Sequence, residues 1–211
     1  AKYCIACGTP LRPGAKEAAH VPPPLILDLA ARTDVGMARG MNEDTIYTGA
    51  YSNADGPIGT LLIVADGMGG HTAGDRASQL AVATVKQNLR RALETGVPAD
   101  DAQWHALLRK VAAEANQSVY AEARDAGARG MGTTLTVAIV TDRRVHLAHV
   151  GDSRAYLINA AGVLSDGSTW NQLTTDHSLV ARLVDIGQLT PEEARVHPQR
   201  NMIYRSLGTD P

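Results

Sequence analysis

Residues 60–66, TLLIVAD, run straight into Gly67-Met68-Gly69-Gly70, and this junction constrains the fold more than any other part of the chain. Five consecutive apolar residues, 61–65, suit a buried strand and fall far short of the roughly 18 that a membrane helix needs. Asp66 closes the run, so its carboxylate sits at the rim of a core. Gly67, Gly69 and Gly70 then permit a sharp turn and the close approach of another group. A helix is predicted over residues 74–93, because Ala77, Leu80, Ala81, Val85, Leu89 and Leu93 recur at helical spacing and Gly96 follows as a stop.

The same reading extends along the chain. Residues 25–29 are expected to form a first strand. Asp100 or Asp101 caps a second long helix with Trp104, Leu107, Leu108, Val111, Ala115 and Val119 on its buried face. Strands at 135–140 and 145–150 flank a hairpin turn at 141–144, a third strand covers 155–158, and a turn follows at 159–162. Leu179, Leu183 and Ile186 mark a short helix. Thr190-Pro191-Glu192-Glu193 opens another, with Thr as N-cap and Pro at the first helical position. The order is that of an α+β fold with helices packed on antiparallel sheet. Pro22, Pro23 and Pro24 form a stiff linker that sets residues 1–24 apart from a domain at 25–211.

Composition narrows the function classes. Of 211 residues, 44% are hydrophobic and 20% charged, which excludes wholesale disorder. A net charge of -2 argues against a nucleic-acid binder, which needs surplus Lys and Arg on the phosphate backbone. Two cysteines make no secreted disulfide framework. No apolar signal-peptide core opens the chain, so it reads as cytoplasmic, with no membrane partner.

Three clusters of acidic residues and glycine carry the candidate chemistry: Arg39-Gly40-Met41-Asn42-Glu43-Asp44, Asp66-Gly67-Met68-Gly69-Gly70-His71 and Gly151-Asp152-Ser153-Arg154. Asp66 and Asp152 each follow a core strand. Carboxylates at strand ends beside exposed carbonyls suit a hard cation such as Mg²⁺ or Mn²⁺. The bland alternatives are a tight strand-to-helix turn for Asp66 and a β-turn aspartate for Asp152. Glu43 and Asp44 are adjacent, so on a strand only one faces a given ion. Arg39 has the planar donor fork that suits phosphate, although a surface charge patch is the commoner fate of such residues. The glycine loop is neither a Walker A loop nor an EF-hand. His146 and His149 are three apart on a strand and point to opposite faces, which counts against zinc between them. Ser153 and Ser178 lack an identifiable His-Asp pair, leaving a serine hydrolase unsupported.

Together these motifs resemble the metal-dependent phosphatases of the protein phosphatase 2C family, bacterial type. The matching runs are ARTDVGMARGMNEDTIY, LLIVADGMGGHTAGDRAS, GMGTTLTVAIV, LAHVGDSRAYLI and QLTTDHSLVARLVDIGQLT, in the family's order from about Arg32 onward. The resemblance implies a four-layer αββα architecture, an antiparallel β-sandwich flanked by helices. It implies hydrolysis of phosphoserine and phosphothreonine with Mn²⁺ or Mg²⁺, two or three ions in a complete enzyme. Asp66 matches the bridging metal ligand, Gly67 the glycine whose carbonyl coordinates, and Asp152 a ligand of a third metal. Glu43 and Asp44 match the pair that orders metal-bound water, and Arg39 the phosphate-holding arginine. Residues 174–207 match a flap used in substrate selection. Phosphoproteins made by a serine/threonine kinase are the implied partners.

Three departures stand beside this. Animal members carry a proposed general-acid histidine where this chain has Met68, which leaves a metal-bound water or His71 to protonate the leaving group. Family members continue beyond the RSLG at 205–208 into a strand ending in Asp-Gly and on to a further aspartate, both metal ligands. The domain is therefore expected to be incomplete at its C-terminal end, and an inactive phosphatase-like module that binds phosphoproteins or regulates a partner is the alternative function. Finally, Cys4 and Cys7 resemble half a zinc ribbon. Structural zinc wants four ligands, and only His20 is near, so zinc is not expected as a cofactor.

Overall fold

The computed structural model describes residues 25–37, 39–70, 72–142, 144–159 and 169–210. Cys4, Cys7, the proline linker, His71 and most of the 159–162 turn lie outside them. Strands β1 (Asp44–Asn53) and β2 (Gly56–Met68) form a hairpin. Helices α1 (Thr72–Thr95) and α2 (Asp101–Asp125) follow, then β3 (Gly132–Thr133), β4 (Leu135–Thr141) and β5 (Arg144–Val150). The sheet order is β1-β2-β4-β5, antiparallel throughout, with β3 pairing the far end of β2. A separate ribbon of β6 (Tyr156–Ile158) and β7 (Trp170–Gln172) precedes α3 (Leu179–Asp185) and α4 (Pro191–Val196).

The core lies between one face of the sheet and the helix pair. Leu61, Ile63 and Ala65 of β2 and Leu135, Val137 and Ile139 of β4 alternate inward. They meet Ala77, Ala81, Val85 and Leu89 of α1 and Leu108, Val111, Ala115 and Val119 of α2. Small residues on α1 let the helix lie close to the sheet, which is how a core with 4% aromatics and no Phe closes. Asp100 is the N-cap of α2, accepting from the Gln103 N–H at 2.8 Å. Thr190 and Glu193 form a reciprocal capping box on α4.

Several expectations need correction. Residues 25–29 form no strand, and Leu25, Ile26, Leu27 and Leu29 are exposed. Apolar character makes a strand only where a neighbour supplies the ladder. Among the described residues the first strand is instead β1, whose mixture of Thr, Gly, Ala and Tyr and whose register shift at Tyr51/Ser52 hide its alternation. β2 runs past Asp66 to Met68 because β3 pairs with it, and only one of its faces is buried: Val64 is 44% exposed. The strand expected at 155–158 leaves the main sheet to pair with β7. The hairpin at 141–144 is as expected, with Asp142 at φ 49° in its turn.

Candidate active site

The site residues gather at one end of the sheet, with Asp44 and Asp66 on the face turned away from α1 and Glu43 turned toward the first turn of that helix. The β1–β2 register sets Asp44 directly opposite Asp66. Opposed residues share a face, so the two carboxyl groups come within hydrogen-bonding reach of each other. Desolvation, the Asp44 charge and hydrogen bond, and the Asp152 charge push the Asp66 carboxyl up to about 6, against a smaller lowering by Arg39. Asp66 itself is exposed to solvent, so the crowding by Asp44 is the firmer part of that cause.

Glu43, one residue earlier, takes the other direction, as strand parity requires. Its side chain is 11% exposed; Oε2 stands 3.5 Å from the Arg39 guanidinium. Oε1 is buried and has no hydrogen-bond partner among the described residues. The backbone of Glu43 is fixed from two sides. Its carbonyl accepts from the Gly67 N–H at 3.1 Å and from the Ser78 hydroxyl at 2.7 Å. The first turn of α1 is pressed against this point. A Cβ on Gly74 would come within 2.6 Å of Glu43 Oε1, and a Cβ on Gly67 would collide with the Gly74 carbonyl. Here glycine is required by close approach.

Asp152 reaches the site from the end of β5. The chain turns at Gly151, whose φ is 111°. Thr134 lies between this loop and Asp66: its Oγ1 accepts the Asp66 N–H at 2.9 Å and is 2.8 Å from Ser153 Oγ. Thr133 adds a hydroxyl bond to the Asp66 carbonyl at 3.0 Å. Neither threonine was assigned a role from the sequence. Both stand in the GMGTT run, where a pair of hydroxyl side chains opening an apolar strand was the available signal.

The segment after β7 closes over the Asp152 loop. His177 donates its N–H to the Gly151 carbonyl at 2.8 Å and accepts the Gly151 N–H on Nδ1 at 3.1 Å. Its ring stacks on His149, centroids 5.2 Å apart, and tilts against Tyr204. Arg154 makes a forked ion pair with the buried carboxylate of Asp176, at 2.6 Å for the closest contact. A cleft of about 660 Å³ opens here, bordered by Asp152, Arg154, Trp170, Asp176 and Arg195. His146 and His149 point to opposite faces as expected: His146 stacks on Trp104 of α2, 5.0 Å between centroids.

Asp44, Asp66 and Asp152 thus share one sheet end with Arg39 and the unpaired oxygen of Glu43. No group of three or more His, Cys, Asp and Glu side chains among the described residues is close enough to enclose a metal ion by itself. The donors fit a hard cation that keeps part of its water: two carboxylates facing each other across the ladder, a third within electrostatic range, and a buried carboxylate oxygen with no partner among the described residues.

Comparison with known proteins agrees with this arrangement. The protein phosphatase 2C family matches residues 41–192. Protein phosphatase PhpP of Streptococcus pneumoniae is 40% identical over 191 residues, covering 86% of this chain and 68% of that protein. The crystal structure of the Mycobacterium tuberculosis serine/threonine phosphatase PstP/Ppp superposes with a TM-score of 0.69 at 38% identity, covering 86% of this chain and 68% of that one. The catalytic domain of PstP in complex with two manganese ions gives 0.66 at 35% identity, covering 86% and 67%. The chain belongs to the protein phosphatase 2C family. It is a metal-dependent protein serine/threonine phosphatase domain, α+β in fold, with its helices on an antiparallel sheet. Among the described residues the sheets are the five-stranded β1–β5 sheet and the separate β6–β7 ribbon.

Proposed function

We propose that the acidic end of the sheet is the catalytic centre and that it hydrolyses phosphoserine and phosphothreonine with Mn²⁺ or Mg²⁺. The observation that carries this is the Asp44–Asp66 pair. A strand ladder holds two carboxylates together where, without a cation, they repel and one is driven to keep a proton. Asp66, the Gly67 carbonyl and Asp152 would hold the ions, with Asp44 and Glu43 ordering water beside them. A divalent ion bound there would acidify that water and offset phosphate charge.

The chain's own residues account for the rest. Arg39, 67% exposed and tethered among the described residues by the long contact to Glu43, is free to turn its fork to a phosphate. Glu43 Oε1 is buried with its lone pairs unused among the described residues, so a water that reached it would find an acceptor. Attack on phosphorus makes one P–O bond and breaks the bond to the serine or threonine oxygen, which must then gain a proton.

The cleft beside Asp152 is largely lined by residues between Thr174 and Asn201, which supports residues 174–207 as the flap that borders the substrate. Phosphoproteins made by a serine/threonine kinase, a cytoplasmic setting and a phosphatase domain spanning 25–211 complete the proposal. The family match within that span and the name of PhpP support the phosphatase reading. The test is phosphopeptide hydrolysis against Mn²⁺ and Mg²⁺ concentration by the wild type and Asp66→Ala. Hydrolysis that needs no added ion, or that survives the substitution at saturating Mn²⁺, would overturn it.

A further inference from the structure

We propose that Thr134 is the positioning residue that sets the spacing between Asp66 and the Asp152 loop. One buried side chain touches both. Thr134 is 2% exposed, and its Oγ1 accepts the Asp66 N–H at 2.9 Å while lying 2.8 Å from Ser153 Oγ. A hydroxyl has one proton and two lone pairs, so it can accept from Asp66 and still exchange a hydrogen bond with Ser153. The Thr134 N–H returns to the Asp66 carbonyl at 2.9 Å, so both backbone polar groups of Asp66 end on this residue.

The carbon atoms of Thr134 do separate work. A Cβ on Gly151 would come within 2.6 Å of Thr134 Cβ and Cγ2, so the loop that carries Asp152 rests directly on the threonine. Gly151 and Ser153 flank Asp152 on either side, and Thr134 contacts both. The two aspartates lie on segments far apart in sequence; the β2–β4–β5 ladder brings those segments to the two sides of β4, but its pairing with β4 stops at Val64 and Val150, two residues short of each aspartate. Beyond those positions the hydroxyl–hydroxyl contact and the Gly151 seat tie the two ends together. Because the donors are carboxylates on independent backbones, an error in that spacing would weaken whatever they jointly hold. The catalytic consequence rests on the function proposed above; the geometric claim does not.

The test uses the whole chain with three variants. Thr134→Val keeps the shape and removes Oγ1; Thr134→Ser keeps Oγ1 and removes the methyl; Ser153→Ala removes only the second arm. Amide hydrogen exchange at Asp66 is measured in the metal-free protein. The Mn²⁺ concentration for half-maximal turnover of p-nitrophenyl phosphate is measured beside KM and kcat. We expect Thr134→Val to speed Asp66 exchange at least about tenfold. Its Mn²⁺ requirement should rise by about 10–100-fold, the usual effect of losing a residue that orients metal ligands, with KM at saturating Mn²⁺ unchanged. Thr134→Ser should restore both to within about threefold of wild type, and Ser153→Ala should raise the Mn²⁺ requirement without touching Asp66 exchange. Equal losses in the Val and Ser variants would mean that volume, not the hydroxyl, matters, and would overturn the proposal. So would wild-type exchange and Mn²⁺ dependence in Thr134→Val. Should Thr134→Val fail to fold, Thr134→Ser and Ser153→Ala decide: the proposal stands only if the first is near normal and the second is Mn²⁺-deficient. If the wild type turns over without metal, the metal reading fails, and Asp66 exchange alone decides the role of Thr134.

Discussion

Asp44 stands across the β1–β2 ladder from Asp66, and their carboxyl groups are close enough to share one proton. Strand register, which folding fixes for the sake of the core face, here fixes an unfavourable contact on the other face. Leu61, Ile63 and Ala65 must point inward, so Asp66 must point outward beside Asp44. The packing energy of β2 thereby holds together a pair that would otherwise separate.

A pH dependence of the metal-free fold follows. The Asp66 carboxyl titrates near 6 in the folded chain and about 3.9 in an unfolded one. A raised folded pKa means that the folded state binds the proton more tightly. The associated stability is complete below pH ~4 and disappears as pH rises through ~6. At pH 7 without metal, Asp66→Asn should therefore melt above wild type, by about 1 kcal/mol after allowance for solvent screening. In saturating Mn²⁺ the order should reverse. Denaturation from pH 4 to 7 checks this. A difference between the two proteins that does not change with pH would refute it.

Arg39→Ala should act on substrate, not on fold. The side chain is mostly exposed, and its ion pair with Glu43 is long at 3.5 Å. Loss of a charge-assisted contact to phosphate is worth about 1.5–3 kcal/mol. That corresponds to about a 10–150-fold fall in kcat/KM. Steady-state kinetics on a phosphopeptide reads it, with the melting temperature expected to move by little. Kinetic constants unchanged from wild type would remove Arg39 from the site.

Gly67→Ala should damage both stability and activity. An added methyl would meet the Gly74 carbonyl and the Glu43 carbonyl, both of them backbone. Backbone cannot rotate aside, so the first turn of α1 must move off the sheet, at about 1–3 kcal/mol. Glu43, braced by Gly67 and Ser78, would move with it. Urea denaturation and turnover should fall together; a variant that is destabilised yet fully active would show that this packing does not hold Glu43 in place.

How much of this was legible beforehand differs by residue. Asp66, Gly67 and Asp152 were readable because an apolar run ending in Asp and Gly is a local signal, and α1 and α2 because their stripes are long and regular. The approach of Asp44 to Asp66 was not, since it depends on a register set 22 positions apart. β1 escaped notice because half of its residues face solvent and its interior is Gly, Ala and Thr. Residues 25–29 misled for the converse reason: they look like a strand but have no partner. His177 stands in a loop that the sequence places near the site without proof from spacing, whereas the roles of Thr134 and of the His149–His177 stack are not legible, because each depends on a contact with a distant segment.

The paired histidines give the last prediction. His149 and His177 stack, and burial holds both below the usual histidine range, aided for His177 by the neighbouring His149 and Arg205. Thr136 contacts His149 on Nδ1, and the Gly151 backbone, the Asp176 charge, the Thr175 backbone and the Asp152 charge favour its charged form against the burial. A depressed folded pKa means that the unfolded chain takes up the proton first. Stability is then complete above pH ~6.5 and falls as pH drops through that value. Asp66 pulls the opposite way, so the effect is best isolated in Asp66→Asn. In that background, stability should decline from pH 6.5 to 5, and His149→Phe, which keeps a stacking ring without a proton site, should flatten the decline. The same acidification should release the His177 N–H from the Gly151 carbonyl, loosening the segment that carries Tyr204. Hydrogen exchange at His177 should rise more steeply than global unfolding explains as pH falls toward 5, and should not do so in His149→Phe. Identical pH slopes in the two proteins, with His177 still protected at pH 5, would show that the stack does not sense protons.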